Sequence, residues 1–241
     1  MIYRIFVFLT FMVFPLVGTF ASPTSNTGGS TVTEGRLAIE GRVGFNNDDE
    51  SASSDNRLQF REVIDYGFTD YYALRLITVQ NKRESEDLEH SSFRIENRFQ
   101  LIERKDHGWD AGVRITYNSR DSGPDEIEMR LVTQVPFGDG WQHRQNVFFE
   151  HDLGDDRNSG IGFESRSEVN KKIGDIRLGV EMFNDFGNLS EQSGYSAQEH
   201  EIGPVARGKL PESFYYIAGL RQGISRSAPD QTLKFTFGKS F

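Results

Sequence analysis

The sequence has 241 residues and no cysteine. That excludes disulfide staples, thiolate metal sites, a cysteine nucleophile and a lipidated amino-terminal cysteine. Positive charge is scarce against negative: 27 Lys and Arg face 36 Asp and Glu, a formal charge of -9 that argues against a nucleic-acid partner. Long apolar runs are missing everywhere but at the start, and a mean hydropathy of -0.55 is too polar for a bundle of membrane helices. No stretch of useful length has a helical period.

The one apolar run covers residues 2–20 of MIYRIFVFLTFMVFPLVGTFASP. Arg4 flanks it, Pro15 interrupts it, and the small residues Thr19 and Ala21 follow, as in a secretory signal peptide cut near Ala21. The run is short and no stop-transfer charge cluster follows it, which disfavours a membrane anchor. Next comes TSNTGGSTVT at 24–33, a polar and flexible leader by composition. The expected organisation is a signal peptide at 1–21, a leader at 22–34 and one β domain at 35–241. An exported chain without cysteine must be held together by something other than disulfides.

From Gly35 onward the apolar residues recur with a period of two. In GRLAIEGRVGF, Leu37, Ile39, Val43 and Phe45 oppose Arg36, Glu40 and Arg42. FRIENRFQL sets Phe93, Ile95, Phe99 and Leu101 against Arg94, Glu96, Arg98 and Gln100. Trp109, Ala111, Val113, Ile115 and Tyr117 oppose Asp110, Arg114 and Thr116; Ile127, Met129, Leu131, Val135 and Phe137 oppose Glu126, Glu128, Arg130 and Gln134. WQHRQNVFFE, GIGFESRSEV and DIRLGVEMF continue less cleanly. The total is about twelve strands of the roughly ten residues that a tilted strand needs to cross a membrane. Alternation slips at 62–72 and 214–224, where a bulge or misplaced turn is expected, and Pro204 makes 200–208 the least secure strand.

The joints alternate in length. Short ones fall at 67–70, 105–108, 138–140, 170–174 and 209–213, and longer polar ones at 46–56, 83–91, 119–125, 152–159, 185–197 and 225–230. This describes an all-β fold, a transmembrane up-and-down antiparallel β-barrel with both termini on the short-turn, periplasmic side. Alternation alone does not say which face looks out. Aromatics near strand ends (Trp109, Tyr117, Phe137, Trp141, Phe149) suit interfacial girdles, and twelve strands enclose too wide a space for a dry apolar filling, so the apolar face is expected to meet lipid. The chain closes on TLKFTFGKSF, in which Phe235, Phe237 and Phe241 resemble the carboxy-terminal signal that outer-membrane barrels present to their assembly machinery. Lys239 breaks that series.

The opposite face then lines the lumen: Arg36, Glu40, Arg42, Arg94, Glu96, Arg98, Arg114, Glu128, Arg130, Arg144, Glu164, Arg166, Glu168, Arg177 and Glu181. Such a set serves either a self-neutralising Arg and Glu network or a narrow aqueous path with charged walls. The long loops are acidic, with Asp48, Asp49, Glu50, Glu84, Glu86, Asp87, Glu89, Asp152, Asp155, Asp156, Glu191, Glu199 and Glu201. They could hold divalent cations loosely, although none has the spacing of a calcium loop. Of five histidines, His151 beside Glu150 and Asp152 is the best placed as a base. No Gly-x-Ser-x-Gly elbow or serine-histidine signature accompanies it, so no enzyme and no cofactor are expected.

Near the end, QEHEIGP with Gln198, His200, Gly203 and Pro204, then Ala228, Pro229, Asp230 and Thr232, resembles poorly characterised proteobacterial barrels labelled porins or phenol-degradation-type (MetA-pathway) outer-membrane proteins. DYGFTDYYAL at 65–74 resembles their strand-turn-strand. The resemblance covers about a third of the chain and implies a transport-like role. The resulting expectation is a monomeric, porin-like passive channel for small charged or polar solutes, with outer-membrane lipid, lipopolysaccharide and the barrel-assembly machinery as partners. The alternative is a plugged structural or surface-interaction barrel, and a hydrolase stands further off.

Overall fold

A computed structural model describes residues 22–241 apart from positions 50, 51, 53, 84, 85, 156 and 192. The expected signal peptide and the loop residues Glu50, Glu84 and Asp156 lie outside the described residues. Twelve strands follow one another: β1 (Leu37–Asn47), β2 (Arg57–Gly67), β3 (Tyr72–Lys82), β4 (Glu89–Ile102), β5 (Asp110–Arg120), β6 (Glu126–Phe137), β7 (Trp141–Asp152), β8 (Gly162–Ile173), β9 (Ile176–Asn188), β10 (Glu199–Lys209), β11 (Phe214–Gly223) and β12 (Gln231–Ser240). Each pairs antiparallel with its sequence neighbours, and β12 closes on β1 from Ala38 opposite Ser240 to Asn47 opposite Gln231. The Phe241 N–H donates to Leu37 O at 2.8 Å, extending that seam to the last residue. Closure leaves no sheet edge, so the ladder satisfies the strands' main-chain groups, as a hydrocarbon surround requires.

One rim carries the joints 68–71, 103–109, 138–140, 174–175 and 210–213, and the other the longer connections. The tightest, Gly174 and Asp175, turns through Gly174 at φ 60, a conformation that a side chain would strain. The 103–109 joint contains the single-turn helix α1 (Arg104–His107).

The sidedness is the reverse of a soluble barrel. Ile64, Leu101, Leu178, Val180, Leu233 and Phe235 are 45–67% exposed on the outer wall, while Glu96, Glu128, Glu181 and Arg221 are 0–2% exposed inside. An apolar belt of this extent needs hydrocarbon around it. Aromatic rings mark its borders. On the short-turn side Tyr66, Phe68, Tyr72 and Phe99 form a chain of rings with centroids 4.9–5.8 Å apart, and Phe137 meets Trp141 at 6.1 Å. On the long-loop side Phe149, Phe163, Phe186, His200 and Tyr195 do the same at 4.7–5.6 Å.

The irregular stretches resolve differently from expectation. Register is unbroken through 62–72 and 214–223; the alternation fails there because Val63, Tyr215 and Ile217 point inward and Glu62 outward. The bulges lie instead at Val79/Gln80, Gln100/Ile102 and Gly162/Glu164. The unclean alternation of β7 to β9 has a similar cause. Phe148 and Phe183 face inward and are fully buried, whereas His143, Gln145, Ser165, Ser167 and Asn184 form a hydrogen-bonded seam on the outer wall. The β10 to β11 ladder passes from Ile202 opposite Gln222 to Val205 opposite Gly219, skipping Pro204, which has no N–H to give. Glu199 and Glu201, read above as loop charges, are buried residues of β10, because that strand begins at Glu199.

Candidate functional site

The lumen is occupied by the protein's own amino-terminal segment. Residues 22–34, read from composition as a flexible leader, run inside the barrel, and Thr24, Ser25, Asn26, Thr27, Ser30 and Val32 are buried there. Going backward from the short-turn rim, the segment passes β2 at Gly67, β4 at Arg98 and Gln100, β5 at Arg114, β7 at Asn146, β10 at Arg207 and β12 at Lys234 and Thr236. It returns past Gly44 of β1 to Gln59 and Arg61 of β2. It thus makes one full turn of the inner wall while climbing toward the long loops.

One arrangement recurs along this path. Lys234 Nζ donates to Ser25 O at 2.9 Å and to Glu181 at 2.7 Å. Arg207 donates to Thr27 O at 2.9 Å, with its Nε on the Glu168 carboxylate at 2.8 and 3.0 Å. Arg114 donates to Gly29 O at 2.6 Å and to Glu96 at 3.2 Å. Arg98 donates to Thr31 O at 3.2 Å and pairs with Asp65. Each carboxylate steadies a cation, and each cation holds a main-chain carbonyl. A charge enclosed this deeply needs such a partner.

Other groups complete the seat. The Asn146 side-chain amide accepts from Gly28 N at 3.1 Å and donates to Gly28 O at 3.0 Å, as a neighbouring strand would. Val32 N donates to Gln100 at 2.7 Å and Asn26 to Thr236 at 2.9 Å, while Ser22 and Thr24 both reach Gln59. The wall is cut to fit. A Cβ on Gly44 would lie 2.5 Å from the Pro23 carbonyl carbon, and one on Gly67 would lie 2.0 Å from Thr33 O.

The remaining lumen charges form a network. Glu96 takes Arg75 (3.3 Å), Arg114 (3.2 Å) and Arg130 (3.5 Å), while Arg130 also holds Glu128 at 2.7 Å. Arg42 pairs with Glu40, which accepts from Tyr215 at 2.9 Å, and Arg166 pairs with Glu164 at 2.8 Å. Arg221, fully buried, bridges Glu181 (3.4 Å) and Glu201 (3.2 Å). The phenyl faces of Phe148 and Phe183 carry Arg166 at 4.1 Å and Arg221 at 4.0 Å.

Of the residues singled out from the sequence, Glu40, Arg42, Glu96, Arg98, Arg114, Glu128, Arg130, Glu164, Arg166 and Glu181 belong to this interior network. Arg144 and Arg177 bond to amides (Gln142 at 3.2 Å, Asn170 at 3.0 Å), and Arg94 lies inside near Arg57 and Arg61. Arg36 sits exposed at the short-turn rim on Ser240. Phe235, Phe237 and Phe241 lie on the outer wall, 43–64% exposed. The segment-holding residues that the alternation did not single out are Gln59, Arg61, Asp65, Asn146, Arg207, Lys234 and Thr236. His151 is exposed, with Nδ1 2.9 Å from Gly160 O rather than against a hydroxyl. Among the described residues no group of three or more His, Asp or Glu side chains is placed to hold a metal ion.

A closed barrel with an apolar outer belt, aromatic borders and a charged interior defines a transmembrane β-barrel. The comparisons agree on the fold. The structure superposes on an outer membrane channel from Pseudomonas putida F1 (TM-score 0.61, 9% identity, 90% of this chain and 100% of that one). It also matches the NanC porin (0.60, 10%, 84% and 98%) and the KdgM porin (0.58, 10%, 85% and 98%). No family model and no curated protein matches the sequence.

Proposed function

We propose that the protein is a porin-like outer-membrane channel closed by its own amino-terminal segment, which passes small polar or charged solutes when that segment withdraws. The observation that carries this is the full turn made by residues 22–34 through the lumen, on side chains of β2, β4, β5, β7, β10 and β12. The energetics suit a removable plug. Five charge-assisted hydrogen bonds and six neutral ones contribute about 10–24 kcal/mol in all. Ordering the thirteen residues costs about 13–26 kcal/mol. The two sides come within a few kcal/mol, so neither state is out of reach.

In this reading the short-turn rim is periplasmic, and the belt meets outer-membrane lipid and lipopolysaccharide. The barrel-assembly machinery engages Phe235, Phe237 and Phe241. The acidic loops gather divalent cations loosely, and the unit is a monomer. Full burial of Arg221, Glu168 and Glu181 favours a second reading, a permanently sealed barrel with a structural role. Single-channel recording in planar bilayers separates the two. Deleting residues 22–33, which leaves all twelve strands, converts a mostly closed protein into one with long, steady, ion-selective openings. Silence of a correctly assembled deletion variant would establish the sealed barrel.

A further inference from the structure

The four lumen cations address the main-chain oxygens of Ser25, Thr27, Gly29 and Thr31, every second residue in turn. In an extended chain such carbonyls recur about every 6.6 Å. By contrast, the buried hydroxyls of Ser25, Thr27 and Ser30 have no hydrogen-bond partner among the described residues. From Ser25 to Thr33 the wall therefore holds mainly backbone, with Asn26 bonded through its side chain to Thr236, while at the tip the Ser22 and Thr24 hydroxyls reach Gln59. Residues 22–33 carry no charged side chain, and each cation already lies against a carboxylate: Glu181 (shared with Arg221), Glu168, Glu96 (shared with Arg75 and Arg130) or Asp65 (shared with Arg75). An acidic oligomer entering here would meet those carboxylates as well as the guanidinium groups. The glycines at 44 and 67 make room for backbone atoms, and Gly28 and Gly29 bring the segment close to Arg114 and Gln134.

We infer that the lumen is a binding site for an extended, uncharged polypeptide of small residues, and that residues 24–33 are its tethered occupant. A separate peptide of the same chemistry takes the seat when the segment is out. This rests on the segment being able to leave, as the channel reading requires.

The test uses the full chain carrying Gly28→Val and Gly29→Val. The added Cβ atoms would lie 2.6 Å from Arg114 Nη2 and 2.7 Å from Gln134 Oε1, the movable ends of two side chains, so the variant segment reseats only by displacing them and competes less well, while every wall residue is kept. Fluorescein-labelled TSNTGGSTVT is titrated into the detergent-solubilised variant, with heat-modifiable gel migration certifying the fold. Saturable one-to-one binding is expected, at least about 100-fold tighter than to the wild type, whose own segment competes at millimolar effective concentration. A peptide with alanine at the positions of Ser25, Thr27 and Ser30 binds within about threefold, since the backbone is what is held. Adding Arg207→Met weakens binding about tenfold or more.

Absence of saturable binding to the folded variant, failure of the alanine peptide, or equal binding by an acidic peptide (TDNEGGDTVT) overturns the inference. Bilayer recording keeps the two readings apart. Binding without conduction removes the channel and leaves the peptide site; conduction without binding does the reverse. Should the double variant not fold, Gly44→Leu, whose added Cβ would lie 2.5–2.7 Å from main-chain atoms of Pro23 and Thr24, replaces it, probed with a peptide covering residues 25–32.

Discussion

Arg207 and Glu168 form one ion pair, but only Arg207 touches the segment, so substituting each in turn separates barrel stability from plug retention. Arg207→Met removes the 2.9 Å donation to Thr27 O and leaves Glu168 with Asn170 at 2.6 Å as its main donor. A charge-assisted hydrogen bond contributes about 1.5–3 kcal/mol, so the ratio of closed to open barrels should fall about 10- to 150-fold. Glu168→Gln breaks the same pair from the other side. It leaves Arg207 free to hold Thr27 O at least as firmly, so the open fraction should stay within about threefold of wild type. Both variants should lose comparable resistance to unfolding, because each strands one buried charge, a defect worth about 3–5 kcal/mol when nothing compensates. Open probability from single-channel records and urea midpoints from heat-modifiable migration measure the two quantities on the same preparations. If Glu168→Gln opened the barrel as much as Arg207→Met, the carbonyl contact would not be what retains the segment.

Three further outcomes are expected. Arg221→Met, which leaves Glu181 and Glu201 without their shared cation and Phe183 without its stacked guanidinium, should cost about 3–5 kcal/mol of unfolding free energy by urea titration; a shift under about 1 kcal/mol would show that the network does not hold the wall. Glu62→Leu should stabilise the barrel by about 1 kcal/mol in lipid, because Glu62 faces outward midway along β2 with only Thr78 as partner among the described residues, at 2.6 Å; destabilisation would place Glu62 outside hydrocarbon. Phe241→Ala keeps the main-chain bond to Leu37 O, so it should reduce the assembled fraction in vivo several-fold without moving the urea midpoint of the barrels that do form.

Much of this architecture was legible from the residues because lipid imposes a strict period of two. Leu37 through Phe45, Phe93 through Leu101 and Ile127 through Phe137 alternate cleanly, since one side of each meets hydrocarbon and the other paired charge. Where the period failed, the interior had taken apolar side chains. Phe148 and Phe183 are inside as platforms for Arg166 and Arg221, and Val63, Ile77 and Val79 form a small buried apolar cluster. A binary pattern assumes a uniformly polar interior and reads each of these as a slip. The segment at 22–34 was hidden for another reason. Its Ser, Thr and Gly residues carry no periodicity, and its order comes largely from main-chain bonds to lumen side chains 67 to 209 positions away. One signal was present all the same: a run without charged side chains in a chain that is 26% charged.

The tether of residues 22–34 lies at the short-turn rim, where they join β1, and their other end points toward the long loops. With cleavage after Ala21 that other end is a free chain end, held by Gln59 and Arg61 rather than by a covalent bond. A solute driven from the long-loop side meets this free tip and folds it back toward its hinge, whereas one driven from the opposite side meets the anchored base and wedges it more firmly. On the channel reading, conduction should therefore rectify, opening at one voltage polarity and latching at the other.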